Sequence, residues 1–208
     1  MMKFQSMGRL LALAVTMVLL PTLASAAEDE QFVIAFRMVK SMTMEFEDGA
    51  KGKAHIEALK KIGCKAKPEN LDGHMDVTYQ QPKWAELTLA SDELVHQWQG
   101  WLTKAGFETL HADGAEEGHE HAHEGVEILQ FHAKDWIVKH FENGSEAKEF
   151  VAIGKGLGCE IKQDIHDGHA DVQLRCREIR HLECRSHEEA ESRAKWLNEL
   201  GFEAKHED

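Results

Sequence analysis

Residues 63–77 read GCKAKPENLDGHMDV, and ninety-five positions later residues 158–172 read GCEIKQDIHDGHADV. Each block joins a Gly-Cys pair, a short alternating stretch and an Asp-Gly dipeptide, the strongest short signal for a tight hairpin turn. Sliding the chain on itself by the same 95 positions aligns 32–113 with 127–208 without a gap, and 24 of the 82 aligned pairs are identical. Trp101-Leu102 meets Trp196-Leu197, and Gly106-Phe107-Glu108 meets Gly201-Phe202-Glu203. The chain therefore reads as a tandem repeat, and the fold of one copy is the fold of both.

Within a copy, a β stretch opens at Val33–Met44 or Ile128–Val138, broken near Lys40-Ser41 and Lys134-Asp135. A helix from about Gly49 to Ile62 follows, with Ile56, Leu59 and Ile62 on one face, and Gly63 or Gly158 stands where a left-handed C-cap is wanted. Short strands are predicted around 64–69, 75–81 and 85–90, with a matching set in the second copy. Ser91 and Ser186 start a second helix, Ser186-His187-Glu188-Glu189 fitting a capping box. Leu94, Trp98, Trp101, Leu102 and Ala105 give that helix an apolar stripe. Phe107 and Phe202 open a last strand. The order β-α-β-β-β-α-β predicts an α+β fold, two ferredoxin-like units each with an antiparallel or mixed sheet and helices on one face.

The first 26 residues stand outside this pattern. Lys3 and Arg9 precede an apolar run, Leu10–Leu20, and Ala24-Ser25-Ala26 supplies small residues for cleavage, which reads as a secretory signal peptide at 1–26. Eleven apolar residues are too few for a membrane-crossing helix, which needs about 20. The expected organisation is a signal peptide, a first repeat at 27–113, a linker at 114–126 and a second repeat at 127–208. The product is expected to be exported, to periplasm or outside the cell, with no stable membrane anchor after cleavage. Loss of Lys3 and Arg9, and of no acid, takes the formal charge from −13 to −15. So acidic a chain repels a phosphate backbone, which argues against nucleic acid as a partner.

An exported chain permits disulfides among its four cysteines. If Asp167-Gly168 forms a two-residue turn, residues whose numbers sum to 335 face each other, and Cys159 and Cys176 are such a pair. Strand parity turns both inward, compatible with a disulfide or with two buried thiols. Cys64 matches Cys159, but Gln81 stands where its partner would be, so it reads as free. Cys184, beside Leu182, reads as a core thiol.

Fourteen histidines divide as four in the first copy, three in the linker and seven in the second. The linker, GAEEGHEHAHEGV, places His119, His121 and His123 two apart, so that in an extended chain the three imidazoles point the same way. Imidazole suits Zn²⁺, Cu²⁺ and Ni²⁺, and neighbouring glutamates add negative potential; a solvated polar spacer is the other reading. The hairpin register that opposes the cysteines also opposes His166 with His169 and Asp164 with Asp171, all four outward. Two His and two Asp on one patch form a possible four-ligand site, against a plain solvated turn. Met38, Met42 and Met44 could suggest a soft Cu(I) site, but Ala133, Ile137 and Lys139 take their places, two of the three ordinary packing residues, so they read as core or strand-surface Met. Trp101 and Trp196 read as core, Trp84 as exposed in a turn after Pro82 and suited to a partner contact, and His111 and His206 as solvated strand ends.

No nucleophile elbow, phosphate loop or Cys-x-x-Cys is present. The reading is a non-enzymatic exported binding protein, its partner a divalent transition metal ion. The alternative is a protein-interaction module that docks another exported protein and needs no metal.

Overall fold

The computed structural model describes residues 32–114 and 127–206. The expected signal peptide and the linker histidines His119, His121 and His123 lie outside these residues. What is described is an α+β structure with two antiparallel sheets and four helices, consistent with two repeated units. The first unit runs β1 (Phe32–Phe46), α1 (Gly49–Lys61), β2 (Lys65–Leu71), β3 (His74–Leu89), α2 (Asp92–Lys104) and β4 (Glu108–Leu110). After the two-residue strand β5 (Asp113–Gly114), the second runs β6 (Glu127–Phe141), α3 (Gly144–Gly156), β7 (Glu160–His166), β8 (His169–Cys184), α4 (His187–Leu200) and β9 (Glu203–His206).

Local signals set these boundaries. Asp48 and Asn143 cap α1 and α3, Asp48 accepting from the Ala50 amide and Asn143 from Ser145 and Glu146. Ser91 and Ser186 cap α2 and α4 as expected, accepting from the amides of Leu94 and Glu189. After α1 and α3, Gly63 and Gly158 take φ values of +80° and +65°, a backbone that only glycine adopts without strain.

The expected strands 75–81 and 85–90 are one strand, β3, and their counterparts are β8, so each unit runs β-α-β-β-α-β. The reason is a bulge. Met38 pairs with Gln81 and Phe36 with Ala85, which leaves three residues, Pro82 among them, opposite Arg37. An irregularity of this kind accommodates a proline that has no amide to donate, and the strand bends instead of ending. The breaks expected near Lys40 and Lys134 are likewise register shifts within β1 and β6, between Met38 and Met42 and between Ala133 and Ile137.

The strand order in the first sheet is β2-β3-β1-β4. The second sheet carries β8-β6-β9, with β7 and β5 both pairing to β8. Strand β5 adds Asp113 opposite His181 and Gly114 opposite Arg180, so the first residue of the expected linker is already part of the second sheet. One face of the first sheet packs Ile34, Phe36, Val77 and Tyr79 against Ile56, Leu59, Val95 and Leu102 of α1 and α2. The other face meets the second unit: Ala35, Trp84 and Leu110 join the core that α3 and α4 form over β6 and β8.

Trp84 is consequently not an exposed turn residue. It is 9% exposed, its ring lies 6.2 Å from that of Trp196, and the Arg37 guanidinium sits 4.5 Å over it. The Gly156 carbonyl accepts from the Ala112 amide at 3.0 Å, Lys155 donates to Glu86, and Arg193 donates to the Thr109 carbonyl.

Cys159 and Cys176 form a disulfide with Cα atoms 4.7 Å apart. Cys64 and Cys184 are free and buried, and burial pushes both thiols up to about 11. In the folded protein neither should react with a thiol reagent at pH 8. Guanidinium without reductant should expose two reactive thiols per chain; immediate labelling of the native protein would contradict this arrangement. Met38 is buried, while Met42 is partly exposed against Gly106, which agrees with packing.

Candidate metal centre

The hairpin at Asp167-Gly168 has the expected register: Asp164 faces Asp171 and His166 faces His169. Only part of that quartet converges. His166 and Asp171 join His140, a β6 residue paired opposite Asp171, and one potential ligand atom from each of the three lies within 4.8 Å of the others. His140 Nδ1 is 2.7 Å from Asp171 Oδ1. Asp164 stands 3.8 Å from His166 with its carboxylate largely in solvent. The His169 ring stacks on His140 at 5.3 Å, and its Nδ1 is buried without a hydrogen-bond partner. The matching place in the first unit holds Glu45 beside His74 and Asp76.

A larger group occurs elsewhere, at the start of α2. Asp92 is the first residue of that helix and His96 lies one turn on, so the two share a face. His111 follows β4, and Asp113 is held by the pairing of β5 with the second sheet. All four offer ligand atoms within 4.8 Å of one another. A tetrahedral ion bound at about 2.1 Å sets its donors about 3.4 Å apart. His111 Nε2 already lies 3.1 Å from Asp92 and 3.2 Å from Asp113, and His96 Nε2 lies 3.1 Å from the other Asp92 oxygen.

The protonation logic at His111 is specific. Its Nδ1 is 3.1 Å from the Val33 carbonyl, which can only accept, so Nδ1 carries a proton. That leaves Nε2 facing two carboxylates, and a carboxylate cannot hydrogen-bond to a lone pair. A proton, on the imidazole or on a carboxyl group, or a metal ion bound to Nε2 must stand between them. Burial opposes charge on this ring, whose side chain is 9% exposed. Hydrogen bonds donated by the ring to Asp113, the Val33 carbonyl and Asp92, with the Asp113 charge, outweigh burial and raise its pKa above that of free imidazole. A carbonyl on Nδ1 that presents Nε2 is also the arrangement that orients histidine ligands in metal sites.

The same place in the second unit carries a third group. Positions 92, 96 and 111 correspond to His187, Glu191 and His206. His206 Nε2 is 2.9 Å from Glu127, the first residue of β6, and the rings of His187 and His206 are 4.9 Å apart. Glu127, His187 and His206 each present one potential ligand atom within 4.8 Å of the others. His206, like His111, is largely buried with a carboxylate beside its Nε2, so neither is the solvated strand end that sequence reasoning expects. Each strand end lies against the first turn of the helix that precedes it, His111 beside Asp92 of α2 and His206 beside His187 of α4. A signal was available: an acid–His or His–acid pair four residues apart, just inside a Ser-capped helix and 15 residues before the strand histidine, in both copies.

No known protein family, curated protein or solved structure matches the chain.

Proposed function

We propose that this is an exported, non-enzymatic protein that binds a divalent transition metal ion, with its principal centre at Asp92, His96, His111 and Asp113. Each unit is read as ferredoxin-like, since its first strand lies between the third and the fourth with the second at the edge. The observation that carries the metal reading is the Nε2 atom of His111 held between two carboxylates with its other nitrogen committed to a carbonyl. Two imidazole nitrogens and two carboxylates suit Zn²⁺, and Cu²⁺ or Ni²⁺ also favour imidazole. The group at His140, His166 and Asp171 is more exposed and is read as a weaker site. The tract His119, His121 and His123 remains an additional ligand source, and its stretch of chain is flanked by Asp113 on one side and Glu127 on the other. Export is supported by the leader-like amino terminus and is compatible with the disulfide. No helix among the described residues is long and apolar enough to cross a membrane.

Calorimetric titration of the chain purified without a nickel column should show at least one equivalent of Zn²⁺, Cu²⁺ or Ni²⁺. Asp92→Asn and His96→Ala should each weaken the tightest equivalent by about tenfold or more, the scale on which even outer-shell losses act. Because Asp113 comes from β5, an ion here ties α2 to the second sheet, and saturation at 100 times Kd should raise stability by about 2.7 kcal/mol. Absence of binding by the parent chain would sink the reading. Loss of binding only when His119, His121 and His123 are all replaced by alanine would move the centre to the tract.

The alternative, a docking module for another exported protein, draws support from Ile128, Val138 and Ile179, which are exposed on the outer face of the second sheet. That face also carries Asp171, Arg175 and Lys162, which dilute its apolar area. A partner recovered equally well with chelator present would favour docking over metal.

A further inference from the structure

We infer that the second unit carries its own divalent transition-metal centre, formed by Glu127, His187 and His206, at the position that corresponds to the principal centre. The inference shares the ligand chemistry of the proposed function but rests on different residues. Three observations lead to it. First, the two places are related by the 95-residue repeat, yet their side chains are not copies: Asp92 is replaced by His187 and His96 by Glu191. The acid–His pair on the first helical turn is reversed, and its chemistry is retained. Second, the repeat equivalent of Asp113 is Asp208, which lies outside the described residues, and the carboxylate beside His187 and His206 comes instead from Glu127, the first residue of β6. A carboxylate is thus supplied to the strand histidine in both units by unrelated routes. Third, the His206 side chain is only 6% exposed and Glu127, itself partly open to solvent, lies 2.9 Å from its Nε2, so a buried imidazole nitrogen and an accessible carboxylate meet at one place.

The two centres differ in access. At the principal centre, four donors enclose the ion position. Here three converge, with Glu191 3.5 Å from His187, and the group opens onto a groove along α4 lined by Ala194, Lys195, Asn198 and Glu199. Three protein donors leave a fourth position for water or a small exogenous ligand, the pattern of an exchangeable site. The second centre therefore binds and releases its ion more readily than the first.

The test is a Zn²⁺ titration of the full chain with His119, His121 and His123 replaced by alanine, followed by calorimetry and by the imidazole ¹⁵N resonances. In this background His187→Ala, at an exposed position, should remove one equivalent or weaken it about tenfold or more, without disturbing the fold. The His206 resonances should shift on Zn²⁺ addition in the parent and in Asp92→Asn, but not in His187→Ala. Identical stoichiometry and affinity for His187→Ala and the parent, with His206 unmoved by Zn²⁺, would overturn the inference. Loss in Asp92→Asn alone would leave the principal centre standing and this one refuted; loss in His187→Ala alone would do the reverse.

Discussion

Gly156→Val should destabilise the protein by about 2–3 kcal/mol and split its unfolding into two transitions, whereas Gly100→Ala should stabilise it by up to about 1 kcal/mol. Both glycines lie in helices, where exchange for a residue with a side chain ordinarily gains stability because glycine has more freedom to lose. At Gly100, on the exposed side of α2, a Cβ would meet nothing within 4 Å, so the ordinary sign holds. At Gly156 a Cβ would stand 2.7 Å from Ala35 Cβ, 2.8 Å from the Leu110 carbonyl oxygen and 3.1 Å from the Ala35 amide nitrogen. Two of those three atoms are backbone in a sheet and cannot swing aside. Relief requires α3 to lift from the first sheet, which also strains the Ala112–Gly156 hydrogen bond and the Trp84–Trp196 packing. Denaturation followed by both circular dichroism and tryptophan fluorescence would report the split. A single coincident transition at parental stability would show that α3 does not hold the units together.

That interface also marks where sequence reasoning stopped. The repeat, the serine caps of α2 and α4, the hairpin register and the inward cysteines were legible because each is a local pattern or follows from a period of two. The docking of α3 onto the first sheet was not, because it depends on which of two related helices carries small residues outward. The comparison was nevertheless in the sequence: α1 has Glu57 and Lys61 where α3 has Ala152 and Gly156. Charges keep α1 facing solvent, and small residues let α3 approach a second sheet. Trp84 is the complement of that asymmetry. Its counterpart Ile179 stays exposed, since no third unit covers the second sheet among the described residues.

The metal-ligand candidates divide along the same line. His166 opposite His169, and Asp164 opposite Asp171, followed from turn chemistry alone. His140 did not, because placing it beside Asp171 requires the register of β6 against β8 across a bulge. The group at Asp92, His96, His111 and Asp113 needs more still, joining a helix start, a strand end and a strand borrowed by the other unit's sheet. No single period connects them. The shared strand histidines, His111 and His206, were visible, but their burial by the first turns of α2 and α4 is a tertiary fact.

Reduction of the Cys159–Cys176 disulfide, or its replacement by Cys159→Ala with Cys176→Ala, should cost about 3 kcal/mol and lower the melting temperature by roughly 6–12 °C. The two cysteines are 17 residues apart, so the bridge closes a short loop, and in the chain-entropy account a loop of this size removes about that much freedom from the unfolded chain. Its position makes the loss local. Cys159 follows the C-cap of α3, its amide donating to the Gly154 carbonyl, and Cys176 lies in β8 just before the bulge. The bridge therefore pins the end of the helix that joins the two units to the base of the β7–β8 hairpin. Hydrogen exchange in the reduced protein should rise first in β7 and the end of α3, with α1 and α2 least affected. The first unit offers the converse experiment, since Cys64 and Gln81 occupy the corresponding positions and β2 pairs Lys65 with Gln80 in the same register. Gln81→Cys should accordingly form a second bridge under oxidising conditions and stabilise the first unit by a similar amount, read as the loss of one titratable thiol from the unfolded chain and a higher denaturation midpoint. A Gln81→Cys protein that keeps its thiols free after oxidation would show that the equivalence of the two hairpin bases does not extend to side-chain geometry. Unchanged stability of the reduced parent would show that the hairpin register alone, without the bridge, is enough to hold α3 in place.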